Sequence, residues 1–272
     1  MKKTKFTISQ SLIKQMYRKG DEVEHCPAQI NALYIEKSAS IESLTFDRGN
    51  YFEYLAIGAG AIDGKIVDDL PRLKNGKKSV DQIRIEEQAM RFKSLMPIYG
   101  MKPIDVQKIV KVPWMYDDDV TLRIVIDFLS PIKYRTGPII HDYDLALIDL
   151  KLTQNINNTF GDYSWGFPAN MDLIQAVMYF HVWEEHTGKK APFYYWIFDY
   201  KKNPENKIIR KKDPEPIDLA ELHESIRKTH ANLIYYAANN WPTNPNVNLC
   251  KRCPLKDICK DSVVAVDNIL EI

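Results

Sequence analysis

Apolar residues recur at three- and four-residue intervals in some stretches of the chain and alternate or run together in others. Ser9 to Lys19 reads as a first helix, with Leu12, Ile13 and Met16 on its apolar side. Phe46 to Ile62 reads as a second, carrying Phe46, Tyr51, Phe52 and Leu55, with Gly58 and Gly60 marking its end. A charged segment follows, with turn signals at Pro71, Asn75 and Gly76. A long amphipathic helix then runs from Val80 to Tyr99.

The middle of the chain changes character. Val106 to Met115 and Val120 to Leu129 are β-branched stretches separated by Asp117-Asp118-Asp119, and together they read as a hairpin with the acidic triplet at its turn. Ile139 to Leu152 is a third strand region, with Leu145 to Ile148 as its buried run. After a Gly/Asn-rich loop, Met171 to His186 reads as a helix and Phe193 to Tyr200 as a strand. Ile208 to Lys211 reads as a short partner strand and Ile217 to Ala238 as a last helix. Helices first, then a meander of strands, then helix and strand again imply an α/β or α+β domain with a mixed sheet.

Composition narrows the class. With 272 residues, 45% hydrophobic and 27% charged, the chain is an ordinary globular one. No apolar run reaches the roughly 18 residues needed to span a bilayer, and the basic start, Met1 to Phe6, lacks a secretory apolar stretch. A cytoplasmic protein without a membrane span is expected. Net charge is +1, so overall electrostatics announce no nucleic-acid partner. The lysine and arginine runs at Lys74/Lys77/Lys78, Lys189/Lys190, Lys201/Lys202 and Arg210 to Lys212 read as solvated loops.

Candidate chemistry gathers at Ile148-Asp149-Leu150-Lys151. In an extended strand Asp149 and Lys151 point to the same face. Upstream, Arg123 to Ile126 is an apolar run that also ends in an aspartate, Asp127. If the two strands pair, Asp127 and Asp149 converge on one hard cation, and carboxylate oxygens are what Mg²⁺ or Mn²⁺ accepts. Lys151 would then stand beside that ion. An Asp-x-Lys tripeptide alone is most often a surface ion pair. Glu53 reaches toward the same place from the second helix, where Gly49 is expected to permit close packing. Gln175 and Tyr179, at i and i+4, share one helical face.

The order Arg48-Gly49-x-x-x-Glu53, Asp127, Asp149-x-Lys151, Gln175-x-x-x-Tyr179 resembles the RecB-like branch of the PD-(D/E)XK nucleases, from about residue 20 to residue 260. The resemblance implies a restriction-endonuclease-like core, a central mixed sheet flanked by helices. It makes Asp127 and Asp149 metal ligands and Lys151 the catalytic lysine. Glu53 falls where this branch usually has a histidine ligand, and Gln175 and Tyr179 match the motif that positions DNA or the site. Two departures stand out: Ile126, not proline, precedes Asp127, and Ile124 stands where many members have glycine. Asp119 or Asp144 is the alternative to Asp127.

Four cysteines remain. Cys250-x2-Cys253-x5-Cys259 crowds three thiols together, and Cys26, followed by Pro27, is the remaining candidate for a fourth ligand. Thiolate coordination suits zinc or an iron–sulfur cluster. The spacing is similar to the lobe of CRISPR-associated RecB-like nucleases and AddB-type helicase–nucleases, and this implies a structural [4Fe–4S] cluster on all four, with zinc as the alternative. The resemblance further implies one nuclease domain over 1–272, with segments 20–35 and 240–262 forming the cluster lobe. The activity expected is hydrolysis of DNA at ends or single strands, with Tyr163, Trp165 and Phe167 as candidate base-stacking residues. The alternative is a non-catalytic DNA-binding or adaptor protein on the same fold.

Overall fold

The structure is a computed structural model, and it describes residues 5–18, 21–41, 43–58, 66–157, 165 and 174–262. Along the chain come β1 (Phe6–Ser9), α1 (Gln10–Met16), β2 (Tyr17–Arg18), β3 (Asp21–Glu22), α2 (Pro27–Ile30), α3 (Leu44–Ile57) and α4 (Val80–Leu95). Next are β4 (Asp105–Trp114), β5 (Asp117–Thr136), β6 (Ile139–Thr153) and α5 (Ile174–Thr187). The chain then runs through β7 (Phe193–Asp199), β8 (Asn206–Arg210), α6 (Pro216–Ala238) and α7 (Val247–Cys250).

Capping explains several boundaries. Ser9, Ser43 and Ser79 each accept a hydrogen bond from a backbone N–H three residues on, which starts α1, α3 and α4. Gly58 takes a left-handed conformation (φ 69°) and donates to Tyr54 O, ending α3. The expected helix over 80–99 is α4 followed by one tighter turn, Met96–Tyr99, where Pro97 cannot supply an α-helical N–H. Residues 59–62 and 171–173, the outer ends of two expected helices, lie outside the described residues.

The expected acidic turn is placed differently. Met115 and Tyr116 make the turn, and Asp117 to Asp119 open β5. β5 also runs seven residues past Leu129, across Pro131, to Thr136. A register shift between Ser130 and Ile132 accommodates the proline there, as bulges do when a residue lacks the ladder's N–H.

The chain divides into two compact units. The first comprises Met1–Glu42, Pro113–Leu122 and Ala220–Ile272. Its helix α6 buries Leu222, Ile226, Leu233 and Tyr236, while α1 buries Leu12, Ile13 and Met16. His25 lies 2.7 Å from both Val23 O and the Tyr236 hydroxyl. The carbonyl can only accept, so Nδ1 carries a proton and donates it to Val23 O.

The second unit comprises Ser43–Val112 and Arg123–Leu219. Its strands follow the order β5-β6-β7-β8, with β4 on β5. β5 and β6 are antiparallel, β6 and β7 parallel, β7 and β8 antiparallel. The sheet is therefore mixed, and α5 supplies the crossover that a parallel pair requires. β7 is buried along all seven residues. Tyr194, Trp196 and Phe198 join Phe52, Ile85 and Phe92 of α3 and α4 in one core, while Phe193 meets Tyr179 and Phe180 of α5. Helices thus cover this strand from both sides, as the near-continuous apolar run of β7 requires. No helix among the described residues is long and apolar enough to cross a membrane.

Candidate active site

The site belongs to the second unit, and the β5–β6 register builds it. Phe128 pairs with Ile148, so one step further Asp127 stands across from Asp149. The Leu150 backbone N–H donates to Asp127 Oδ2 at 2.6 Å. Asp149 is almost fully buried. Its Oδ1 accepts from Gln175 Nε2 at 2.7 Å, and its Oδ2 lies 2.5 Å from Lys151 Nζ. Tyr179, buried on the same face of α5, donates its hydroxyl to Val125 O in β5. Both side chains therefore hold the site together from within.

Glu53 on α3 completes the group. Its carboxyl is pushed up to about 7, chiefly by burial and further by Asp149, against the opposing charge of Lys151. Asp127 is raised well above the usual carboxylate range by burial, then by Glu53 and Asp149. For Lys151, burial is the largest single influence and favours the neutral amine. Asp149 and Asp127 together outweigh it and keep the ammonium form, with a pKa above the ordinary lysine value. Tyr179 is likewise raised, by burial and then by the same two aspartates. Three carboxyl groups thus surround one ammonium in a site where burial, more than charge repulsion, favours the protonated forms of Glu53 and Asp127.

Sequence and structure part company at Gly49. Gly49 has no close-packing role: a Cβ there would meet nothing within 4 Å. Arg48 pairs with Asp81 at 2.6 Å and lies 5.4 Å from the centre of the Tyr200 ring. Asp144 is exposed, on the outer half of β6, whereas Asp127 reaches the Asp149 strand. Trp165 is buried edge-on against Tyr195, an ordinary packing contact, and its expected partners Tyr163 and Phe167 lie outside the described residues. The residue the sequence reading missed is Asp199, fully buried at the end of β7. Its signal was an aspartate closing the apolar run Phe193 to Phe198.

The four cysteines all belong to the first unit and line one cavity of about 20 Å³. The Cys253 thiol is pushed up by burial and, in smaller part, by Cys26, Cys250 and Cys259. Asn244 fastens the two chain regions together: its backbone N–H donates to Cys26 Sγ at 3.4 Å and its side chain to His25 O at 2.9 Å. Ala28 N also donates to Pro242 O at 3.2 Å, and Asn246 Nδ2 to Glu24 Oε1 at 2.6 Å.

Among the described residues, no group of three or more histidine, cysteine, aspartate or glutamate side chains stands ready to hold a metal ion in this arrangement. The donor types nonetheless suit two different groups. Glu53, Asp127 and Asp149 offer hard carboxylate oxygens from three elements, which suits Mg²⁺ or Mn²⁺. The four thiols offer soft donors around one cavity.

A family model described as the PD-(D/E)XK nuclease superfamily matches residues 71–260. The chain belongs to this superfamily. The match takes in Asp127, Asp149, Lys151, Gln175, Tyr179 and the three C-terminal cysteines, and leaves Glu53 and Cys26 outside it. Among solved structures the chain is similar to a "putative exonuclease" from Eubacterium rectale, with a TM-score of 0.58 and 19% identity over 97% of this chain and 91% of that one. This second likeness supports the fold of the PD-(D/E)XK chain. No curated protein matches it.

Proposed function

We propose that this protein is a deoxyribonuclease that hydrolyses phosphodiester bonds at DNA ends or in single strands with Mg²⁺ or Mn²⁺. The observation that carries the reading is the cluster itself. Glu53, Asp127 and Asp149 are drawn from a helix and two neighbouring strands to one place beside Lys151, and burial first, then their mutual repulsion, holds Glu53 and Asp127 toward the protonated form.

In this reading Glu53, Asp127 and Asp149 are the metal ligands. A divalent ion there supplies charge to the scissile phosphate and makes water a better nucleophile near neutral pH. Lys151, held as an ammonium by Asp149 and Asp127, turns its charge toward the oxygens that become more negative as the bond breaks. Gln175 fixes the orientation of the Asp149 carboxylate through Oδ1, leaving Oδ2 toward Lys151. Tyr179 fastens α5 to β5 through Val125 O and keeps Gln175 in reach.

The second part of the proposal concerns Cys26, Cys250, Cys253 and Cys259, which we assign to a structural [4Fe–4S] cluster, with zinc as the alternative. Their common cavity and the Asn244 fastening support it. Such a centre would hold segments 20–35 and 240–262 together as the lobe of the nuclease domain.

The deciding experiment is degradation of an end-labelled single-stranded DNA with Mn²⁺, Mg²⁺ or EDTA. Metal-dependent loss of the label is expected. A protein that binds the DNA and never cuts it, in either metal, is instead the non-catalytic adaptor.

A further inference from the structure

Asp199 is fully buried at the end of β7, beside Thr153 and two positions beyond Ile197, the register partner of Lys151. Its Oδ2 accepts from Ile156 N at 3.0 Å and its Oδ1 from Glu205 N at 2.8 Å. These two N–H groups belong to different connections. Ile156 lies just after β6, on the path toward α5, and Glu205 closes the turn between β7 and β8. Lys201 Nζ lies 3.4 Å from Asp199 Oδ2 and 3.2 Å from Glu205 Oε2. Asn157 Nδ2 also donates to Glu205 Oε2, at 3.0 Å.

The result is a closed ring of polar contacts from Ile156 through Asp199, Lys201 and Glu205 back to Asn157. A buried carboxylate is tolerated only where its lone pairs are met, and here they are met by the backbone of both connections. Tyr200 N adds a bond to Thr153 O at 3.3 Å, and Arg91 Nη1 ties Pro204 O to α4 at 2.8 Å. The ring therefore closes directly beyond the strand end that carries Asp149 and Lys151. No hydrogen bond or ion pair joins Asp199 to either of those residues, so its influence on them runs through the backbone.

We propose that Asp199 is a positioning residue for the nuclease site, pinning the exit of β6 to β7 so that Asp149 and Lys151 keep their mutual geometry. The inference rests on the metal-dependent nuclease reading above. Loss of the carboxylate orphans two N–H groups at once and frees the chain immediately after Lys151. The asparagine variant keeps one acceptor oxygen and restores one of the two.

The test compares full-length Asp199→Ala and Asp199→Asn with Leu233→Ala, which removes a buried side chain from α6 and controls for general loss of stability. Amide hydrogen exchange over residues 149–157 is read beside Mn²⁺-dependent turnover of a labelled single-stranded oligonucleotide. For Asp199→Ala, exchange in that segment is expected to quicken about tenfold, with the Leu233→Ala control unchanged there. Its kcat is expected to fall about 10- to 100-fold while KM stays within about twofold, as when a group that orients a metal ligand is lost. Asp199→Asn is expected to recover part of both. Unchanged exchange over 149–157 overturns the proposal, and so does faster exchange with wild-type kcat. A wild type without turnover in Mg²⁺ or Mn²⁺ defeats the nuclease reading and the positioning role with it, an outcome distinct from an active wild type whose variant behaves normally.

Discussion

The backbone N–H of Leu150 donates to Asp127 Oδ2 at 2.6 Å, so the residue between Asp149 and Lys151 holds the aspartate of the neighbouring strand. One peptide group thus ties three members of the proposed site. It leaves the second oxygen of Asp127 for another partner, and it supplies a reason for the spacing Asp149-x-Lys151 beyond the alternation of a strand.

Lys151→Ala is expected to abolish Mn²⁺-dependent degradation of labelled single-stranded DNA, a loss of about a hundredfold or more, as for removal of a group that meets developing charge. The Lys151 side chain is about one-third exposed, so the far-UV circular dichroism should match wild type. Undiminished cleavage by this variant would contradict the assignment.

Gln175→Ala and Tyr179→Phe should separate activity from stability. Gln175 orients Asp149 Oδ1, so its loss should lower kcat about 10- to 100-fold with a small change in melting temperature. The Tyr179 hydroxyl serves Val125 O, and its removal leaves a half-buried carbonyl without that donor, at a cost of about 1 kcal/mol in a denaturant titration. The reverse ordering of the two effects would reject these roles.

The raised carboxyl of Glu53 makes a prediction about pH. Its value of about 7 in the folded protein lies above the ordinary glutamate value of 4.5 taken by the unfolded chain. The native state therefore holds this proton more tightly, and the stabilisation is complete below about 4.5 and lost as pH rises through 7. In EDTA, urea midpoints should fall between pH 5 and pH 8, and Glu53→Gln should flatten that fall. Added Mn²⁺ should reverse it at the upper end, because the ion takes the place of the proton. An identical pH slope in wild type and Glu53→Gln would show that the proton resides elsewhere.

Anaerobic purification should give a brown protein with a broad visible band and about four irons per chain, as expected for a [4Fe–4S] centre. Cys253→Ser should lose the colour, since Cys253 senses all three other thiols. A colourless protein carrying one zinc would select the alternative. Neither metal in a freshly isolated sample would remove the cysteine assignment and leave the carboxylate site standing.

Much of this architecture was readable because local signals agreed. Asp127 and Asp149 both close apolar runs on neighbouring strands, and the apolar run Phe193 to Phe198 marks the buried strand β7. What escaped depends on contacts distant in sequence. Pro131 reads as a strand breaker, and only the register shift beside it lets β5 continue to Thr136. Gly49 suggests tight packing, yet the space around it is open. Asp199 looks like the polar end of a buried strand, and its two N–H partners lie 43 and 6 residues away. A tertiary bond of that kind leaves no periodic trace.

The fastening of Asn244 to Cys26 spans 218 positions of the chain, and this bears on the order of assembly during synthesis. Residues 53 to 179, which carry every group of the proposed catalytic centre, leave the ribosome long before Cys259. The thiol set can meet only after Cys259 has emerged, and Cys26 must wait until then as an unpaired, oxidisable side chain. Premature oxidation of that one residue would leave the proposed thiol site incomplete while the carboxylate site is already made.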